Sequence, residues 1–206
     1  MNEQYREAHT LAWFILDGLG IRDLLSPGST DSFAFLIDMN ALFEKFVWRV
    51  LEVLCAARGL CVRYQRKDRS ILWDAMHDRP YARVIPDLLV ESPGADSWLP
   101  VDAKYKRYDS KHLDNADIYQ TLLYALAYGA ADSSGESQAL VVYPSSDVSE
   151  RQAAVEIRHS QGNVVATVRA LGVHMPTLLS EIRAGKTGLQ SSLLCKYLPR
   201  HTPDLV

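Results

Sequence analysis

The chain has 206 residues, with 22 Lys and Arg against 25 Asp and Glu, a formal net charge of −3, and 48% hydrophobic residues. That length supports one self-sufficient core, no apolar run reaches the ~18 residues of a membrane span, and the polar start (Glu3, Arg6, Glu7) does not suit a signal peptide. The three cysteines, Cys55, Cys61 and Cys195, are an odd count with no CxxC spacing, which argues against a disulfide framework, a structural zinc site and an all-cysteine four-ligand iron–sulfur cluster, so a cytoplasmic setting is expected, and the slight acidity argues against nucleic acid.

In chain order, Tyr5 to Leu25 reads as a helix and the Ser26–Asp31 segment, with Pro27 and Gly28, as a loop. A long helix should follow Asp38 as N-cap. Its stripe is Leu42, Phe43, Phe46, Val47, Val50, Leu51 and Leu54, and it should stop near Gly59. Strands are expected at Leu60–Gln65 and Ile71–Trp73 around a Lys67–Arg69 turn, then at Val84–Val90 and Trp98–Tyr105 around a Pro/Gly/Ser cluster. Asp114 to Ala130 reads as a helix, with Asp114 and Asp117 resembling a capping box and Ile118, Leu122, Ala125 and Leu126 as its stripe. Strands at Ala139–Tyr143, Ala154–His159 and Val164–Leu171, a helix at Thr177–Ala184 and a Gly/Ser-containing tail complete the chain. That order predicts an α+β or mixed α/β fold around one sheet. With no repeat and no clear linker, a single domain over 1–206 is expected: an N-terminal helix and loop (1–33), a core (34–130) and C-terminal strands and helix (131–206).

The informative segments are Ile85-Pro-Asp-Leu-Leu-Val90 and Leu99-Pro-Val-Asp-Ala-Lys-Tyr105. Asp102 and Lys104, two apart on a strand, share a face. A bulge-free hairpin symmetric about Gly94-Ala95 sets Asp87 opposite Asp102, although a one-residue slip would separate them and sequence alone does not fix the register. Adjacent carboxylates repel unless a cation lies between them, and an oxygen-rich donor set suits Mg²⁺, with Mn²⁺ as a substitute. A nearby ammonium can hold a water or offset charge on a phosphate; metal-assisted phosphodiester hydrolysis uses these parts. Gln120 and Tyr124 share a helix face. Glu44 lies near the apolar face of the long helix; taken alone it suits an ion pair with Lys45 or Arg49 as well as it suits a metal.

With Pro86-Asp87, Asp102-Ala-Lys104, the helix acid Glu44 and Gln120-xxx-Tyr124, the chain resembles the PD-(D/E)XK nuclease superfamily. The segments Phe35–Val47, Val101–Lys106 and Asp117–Ala125 resemble the nuclease domain of the McrC family, from the McrBC 5-methylcytosine restriction system. The likeness covers about 34–130. It implies a restriction-endonuclease-like mixed central sheet flanked by helices, and a single nuclease domain. It also implies a Mg²⁺-dependent DNA endonuclease of a type IV, modification-dependent defence system. Asp87, Asp102 and Glu44, with the Ala103 carbonyl, would hold metal. Lys104 would orient water, Gln120 would fix Lys104 or a phosphate oxygen, and Tyr124 would contact the DNA backbone or pack beneath. McrC-like proteins carry an N-terminal region that docks on a McrB AAA+ GTPase ring. With about 35 residues before the motif, the expected partners are such a GTPase or a separate targeting subunit, besides DNA and a second copy of the chain. The alternatives are a DNA-binding or assembly subunit with latent nuclease activity, and a RecB-like repair exonuclease.

Charge is unevenly spread. Arg58, Arg63, Arg66, Lys67 and Arg69 face only Asp68 in one stretch, and Lys104, Lys106, Arg107 and Lys111 face only Asp109 in another. If the two converge they make a phosphate-tracking groove, with Arg66, Lys67, Lys106, Arg107 and Lys111 on DNA and Tyr64, Tyr105 and Tyr108 bracing it. The scattered histidines do not suit a zinc site, and Cys55 and Cys61 read as core thiols. There is no GxSxG elbow and no phosphate-binding GxxxxGK[ST] loop.

Overall fold

The structure is a computed structural model describing residues 38–93, 98–106, 108–109, 111–129, 137–149, 151–185 and 188–199. The expected Tyr5–Leu25 helix lies outside the described residues. The chain divides into Met1–Asp38 and Met39–Val206, and the elements below belong to the second unit. Helix α1 (Met39–Ala56) follows Asp38 and buries Phe43, Val47, Val50, Leu51 and Cys55. It closes at Gly59, whose φ of +68° is a left-handed stop that glycine tolerates. Leu42, at one margin of the expected stripe, is exposed.

Strands β1 (Cys61–Tyr64), β4 (Leu88–Glu91), β5 (Trp98–Ala103), β6 (Ser137–Ser145), β7 (Arg151–Arg158) and β8 (Val164–His174) form one sheet in the order β1-β4-β5-β6-β8-β7. The β5–β6 and β6–β8 pairs are parallel; β1–β4, β4–β5 and β7–β8 are antiparallel. Helix α2 (Asn115–Tyr128) is the crossover that the parallel β5–β6 pair requires. Strands β2 (Asp68–Asp74) and β3 (Arg79–Val84) form a separate two-stranded ribbon. Helices α3 (Met175–Arg183) and α4 (Leu189–Lys196) end the described chain. This is the mixed α/β, restriction-endonuclease-like arrangement expected.

Strand alternation gives the sheet two faces. On one, Leu88, Val90, Leu99, Val101, Leu140, Val142, Leu171 and Val173 pack against α1, α3 and α4. On the other, Val141, Tyr143, Val168 and Ala170 pack with Tyr108, Leu113 and Ile118 on the α2 side. Leu126 of α2 is exposed rather than buried.

Four local expectations are corrected. Arg69 is already in β2, and the chain turns earlier, at Gln65 with φ +44°. Val84–Val90 is two strands: β3 ends at Val84 and β4 starts at Leu88, because buried Pro86 has no N–H for a ladder. The tail contains α4, whose first N–H groups at Gln190 and Ser191 donate to the Glu181 carboxylate, a cap supplied by another helix and so invisible locally. Cys61 is exposed on β1 while Cys55 is buried, because α1 turns Cys55 onto the sheet.

Candidate active site

The β4–β5 register is the bulge-free one: Leu88 faces Val101, Leu89 faces Pro100, Val90 faces Leu99 and Glu91 faces Trp98. One step further brings Asp87 level with Asp102, and the Ala103 N–H donates to Asp87 Oδ2 at 2.9 Å. Asp102 is fully buried, and its Oδ1 has no hydrogen-bond partner. Its Oδ2 meets Lys104 Nζ at 3.0 Å as an ion pair without hydrogen-bond alignment. Burial first, and then the charge of Asp102, lift the Asp87 pKa to about 7. Asp102 is also raised, again by burial first, while Lys104 pulls it down. An orphaned, buried carboxylate oxygen costs on the order of 1–3 kcal/mol or more. A cation between the two carboxylates removes both the repulsion and the orphan.

Helix α2 brings Asp117, Gln120 and Tyr124 to this pair. Lys104 Nζ donates to Gln120 Oε1 at 3.0 Å, Gln120 Nε2 to the Tyr124 hydroxyl at 2.8 Å, and that hydroxyl to the Ile85 carbonyl at 3.1 Å. The Lys104 N–H donates to the Val142 carbonyl at 2.9 Å, so β6 holds its backbone while α2 holds its side chain. Burial works against the ammonium, yet Asp102, with Asp87 and Asp117, raises the Lys104 pKa.

Asp117 and Tyr108 are the parts the sequence reading missed. Asp117 does not cap α2, and Asp114 makes no side-chain cap either. Instead buried Asp117 accepts from Lys106 Nζ at 2.9 Å and from the Tyr108 hydroxyl, and lies 3.9 Å from Lys104 Nζ. Burial pushes its pKa up, but Tyr108 and Lys106 hold it below the ordinary value. The available signal was spacing: Asp117 and Gln120, three apart, share a helix face.

Glu44 comes from α1. Its Oε1 accepts from Gln65 Nε2 at 2.7 Å, and the Gln65 N–H donates to the Asp87 carbonyl at 2.8 Å. Arg49 pairs with Glu52 instead of Glu44. Among the described residues no three His, Cys, Asp or Glu side chains cluster as a metal site. Two carboxylates still suit an ion such as Mg²⁺, which is bound by one or two carboxylates and keeps several waters.

Several of the basic side chains expected along a groove have protein partners while staying exposed. Arg58 donates to the Cys195 carbonyl, Arg63 pairs with Glu91, and Arg66 stacks on Trp98 at 4.0 Å. Lys106 is held by Asp114 and Asp117, which raise its pKa. Tyr64 stacks on Trp48 and Tyr108 is buried, so neither braces a surface groove. Lys67 and Lys111 are exposed. Arg107 lies outside the described residues.

The family profile described as McrBC 5-methylcytosine restriction system component matches residues 1–144, a span that takes in every candidate site residue. The chain belongs to this family. No curated protein matches it. Among solved structures, it is similar to a chain of the refined half-complex from a tetradecameric assembly of Thermococcus gammatolerans McrB AAA+ hexamers with bound McrC. The identity is 18% and the TM-score 0.50, over 79% of this chain and 33% of that one. At that identity the likeness shows the fold, and this chain spans about a third of the length of the chain it matches. No helix of the described residues is long and apolar enough to cross a membrane.

Proposed function

We propose that this member of the McrBC family is a Mg²⁺-dependent DNA endonuclease whose site is Asp87, Asp102 and Lys104. The observation that carries the reading is the fully buried, unpartnered Asp102 Oδ1 beside Asp87, with the Lys104 ammonium on the same face. Asp87, Asp102 and the Ala103 carbonyl would hold the ion, with Glu44 acting through Gln65 or water. The ion would supply charge neutralisation at the phosphate and a more acidic water.

The chain's own groups then have separate tasks. Lys104, held by Gln120, places the water and stabilises negative charge gathering on the phosphoryl oxygens. The water oxygen adds to phosphorus and releases one proton to solvent, one P–O ester bond breaks, and the departing oxygen takes up a proton from solvent water. Tyr124 anchors Gln120 and does not touch substrate. Exposed Lys67 and Lys111 are on hand for phosphates. The solved relative is a complex of McrB AAA+ hexamers with McrC, and a McrB-like AAA+ protein is the partner proposed for this chain.

The test is plasmid nicking by purified protein with Mg²⁺ or Mn²⁺, alone and with a McrB-like AAA+ protein and GTP. Cleavage should be lost with EDTA and in Asp87→Ala and Lys104→Ala. Cleavage that persists in both variants overturns the site.

A further inference from the structure

Apart from buried Val84, the β2–β3 ribbon adds no side chain to the apolar clusters on the sheet, yet it carries large apolar side chains in solvent. Met76 at its tip is 89% exposed and Tyr81 76%. Every β3 residue before Val84 is exposed. Its three carboxylates are turned onto the ribbon itself. Asp68 accepts from Ser70, Asp74 from the Met76 and His77 N–H groups, and Asp78 from Trp73 Nε1. Its arginines point outward: Arg79 is loosely paired with Asp74 at 3.6 Å, and Arg69 and Arg83 make no ion pair among the described residues. The ribbon therefore offers cations and apolar side chains to solvent while its anions are spent internally.

Its placement adds a second argument. Val84 ends β3, and Ile85 and Pro86 lead directly to Asp87, so the root of the ribbon is at the candidate metal pair. A duplex with a phosphate at Asp87 would lie close to that root. A two-stranded ribbon is also of a size that enters a major groove of about 12 Å.

We infer that the β2–β3 ribbon is a duplex-DNA arm: Arg69, Arg79 and Arg83 contact phosphates while Tyr81 and Met76 enter the groove. This rests on the nuclease reading only for the identity of the ligand. Binding of the full chain to a short duplex is measured in EDTA by fluorescence anisotropy across a salt series. Arg69→Ala/Arg83→Ala should weaken binding and lower the slope of log affinity against log salt by about 2, since each lost phosphate contact removes about 0.9. Tyr81→Ala should weaken binding severalfold with the slope unchanged. Mn²⁺ titration of each variant should match the parent, which shows that the fold and the metal pair are intact.

Unchanged affinity and slope in the double variant, or no duplex binding by the parent chain, overturns the arm. If those variants cut plasmid like the parent, the arm falls and the nuclease stands. If they lose binding while the parent never cuts, the arm stands and the nuclease falls.

Discussion

Strand β5 serves two regions of opposite character. Its Leu99, Val101 and Ala103 join the Leu/Val layer under α1, α3 and α4. Its other side carries Asp102 at 0% exposure, continued by Lys104 and covered by the polar residues of α2. The first side is close-packed apolar surface, interchangeable with other well-filled cores. The second buries charge that an apolar replacement would make more stable. A strand that gives up stability on one face while saving it on the other marks the face kept for chemistry.

The contrast can be broken from either side. The largest effect is expected from Asp102→Asn, which keeps shape and removes charge. Cleavage should fall by about 10²–10³-fold or more, while the melting temperature holds or rises because the repulsion between the Asp87 and Asp102 carboxylates is gone. A fall in both, measured on one preparation by plasmid nicking and thermal melting, would show Asp102 to be structural. On the apolar face, Leu51→Ala should cost about 2–5 kcal/mol in urea denaturation, with Mn²⁺ affinity of the folded protein unchanged. Between the two, Gln120→Ala frees Lys104 from α2 and should lower the cleavage rate about tenfold, with little change in duplex affinity.

The metal-free carboxylate pair gives a smaller, pH-dependent effect. Folded Asp87 has a pKa of about 7 against an ordinary 3.8, so between those values the folded state holds a proton that the unfolded state has released. Its stabilisation is full below the ordinary value and is lost as pH rises through about 7. The stability difference between the parent and Asp87→Asn, measured in EDTA, should decline across that window. A divalent ion should reverse the decline by binding the ionised pair. The smallest effect belongs to Asp114→Ala, expected within about 0.5 kcal/mol, because Asp114 makes no side-chain cap and its Lys106 pair is exposed.

Much of this site could be read from sequence because hairpin parity is arithmetic. Symmetry about the turn set Asp87 against Asp102, and the pairing of Leu88 with Val101 has that register. Two-residue alternation placed Lys104 with Asp102, and four-residue spacing placed Gln120 with Tyr124. The failures share one cause, which is partners distant in the chain. Charge runs did not tell that Arg66 lies on Trp98 or that Arg58 caps the Cys195 carbonyl. Asp117 looked like a helix cap because its partners, Lys106 and Tyr108, lie in a loop. Helix α4 went unseen because its cap, Glu181, belongs to α3.

The Tyr124 hydroxyl bond to the Ile85 carbonyl ties α2 to the stretch between Val84 and Asp87. It closes a line from Lys104 through Gln120 and Tyr124 to the root of the β2–β3 ribbon. That root cannot shift without breaking this bond or carrying Gln120 with it, so a load placed on the ribbon is felt at the ammonium beside Asp102.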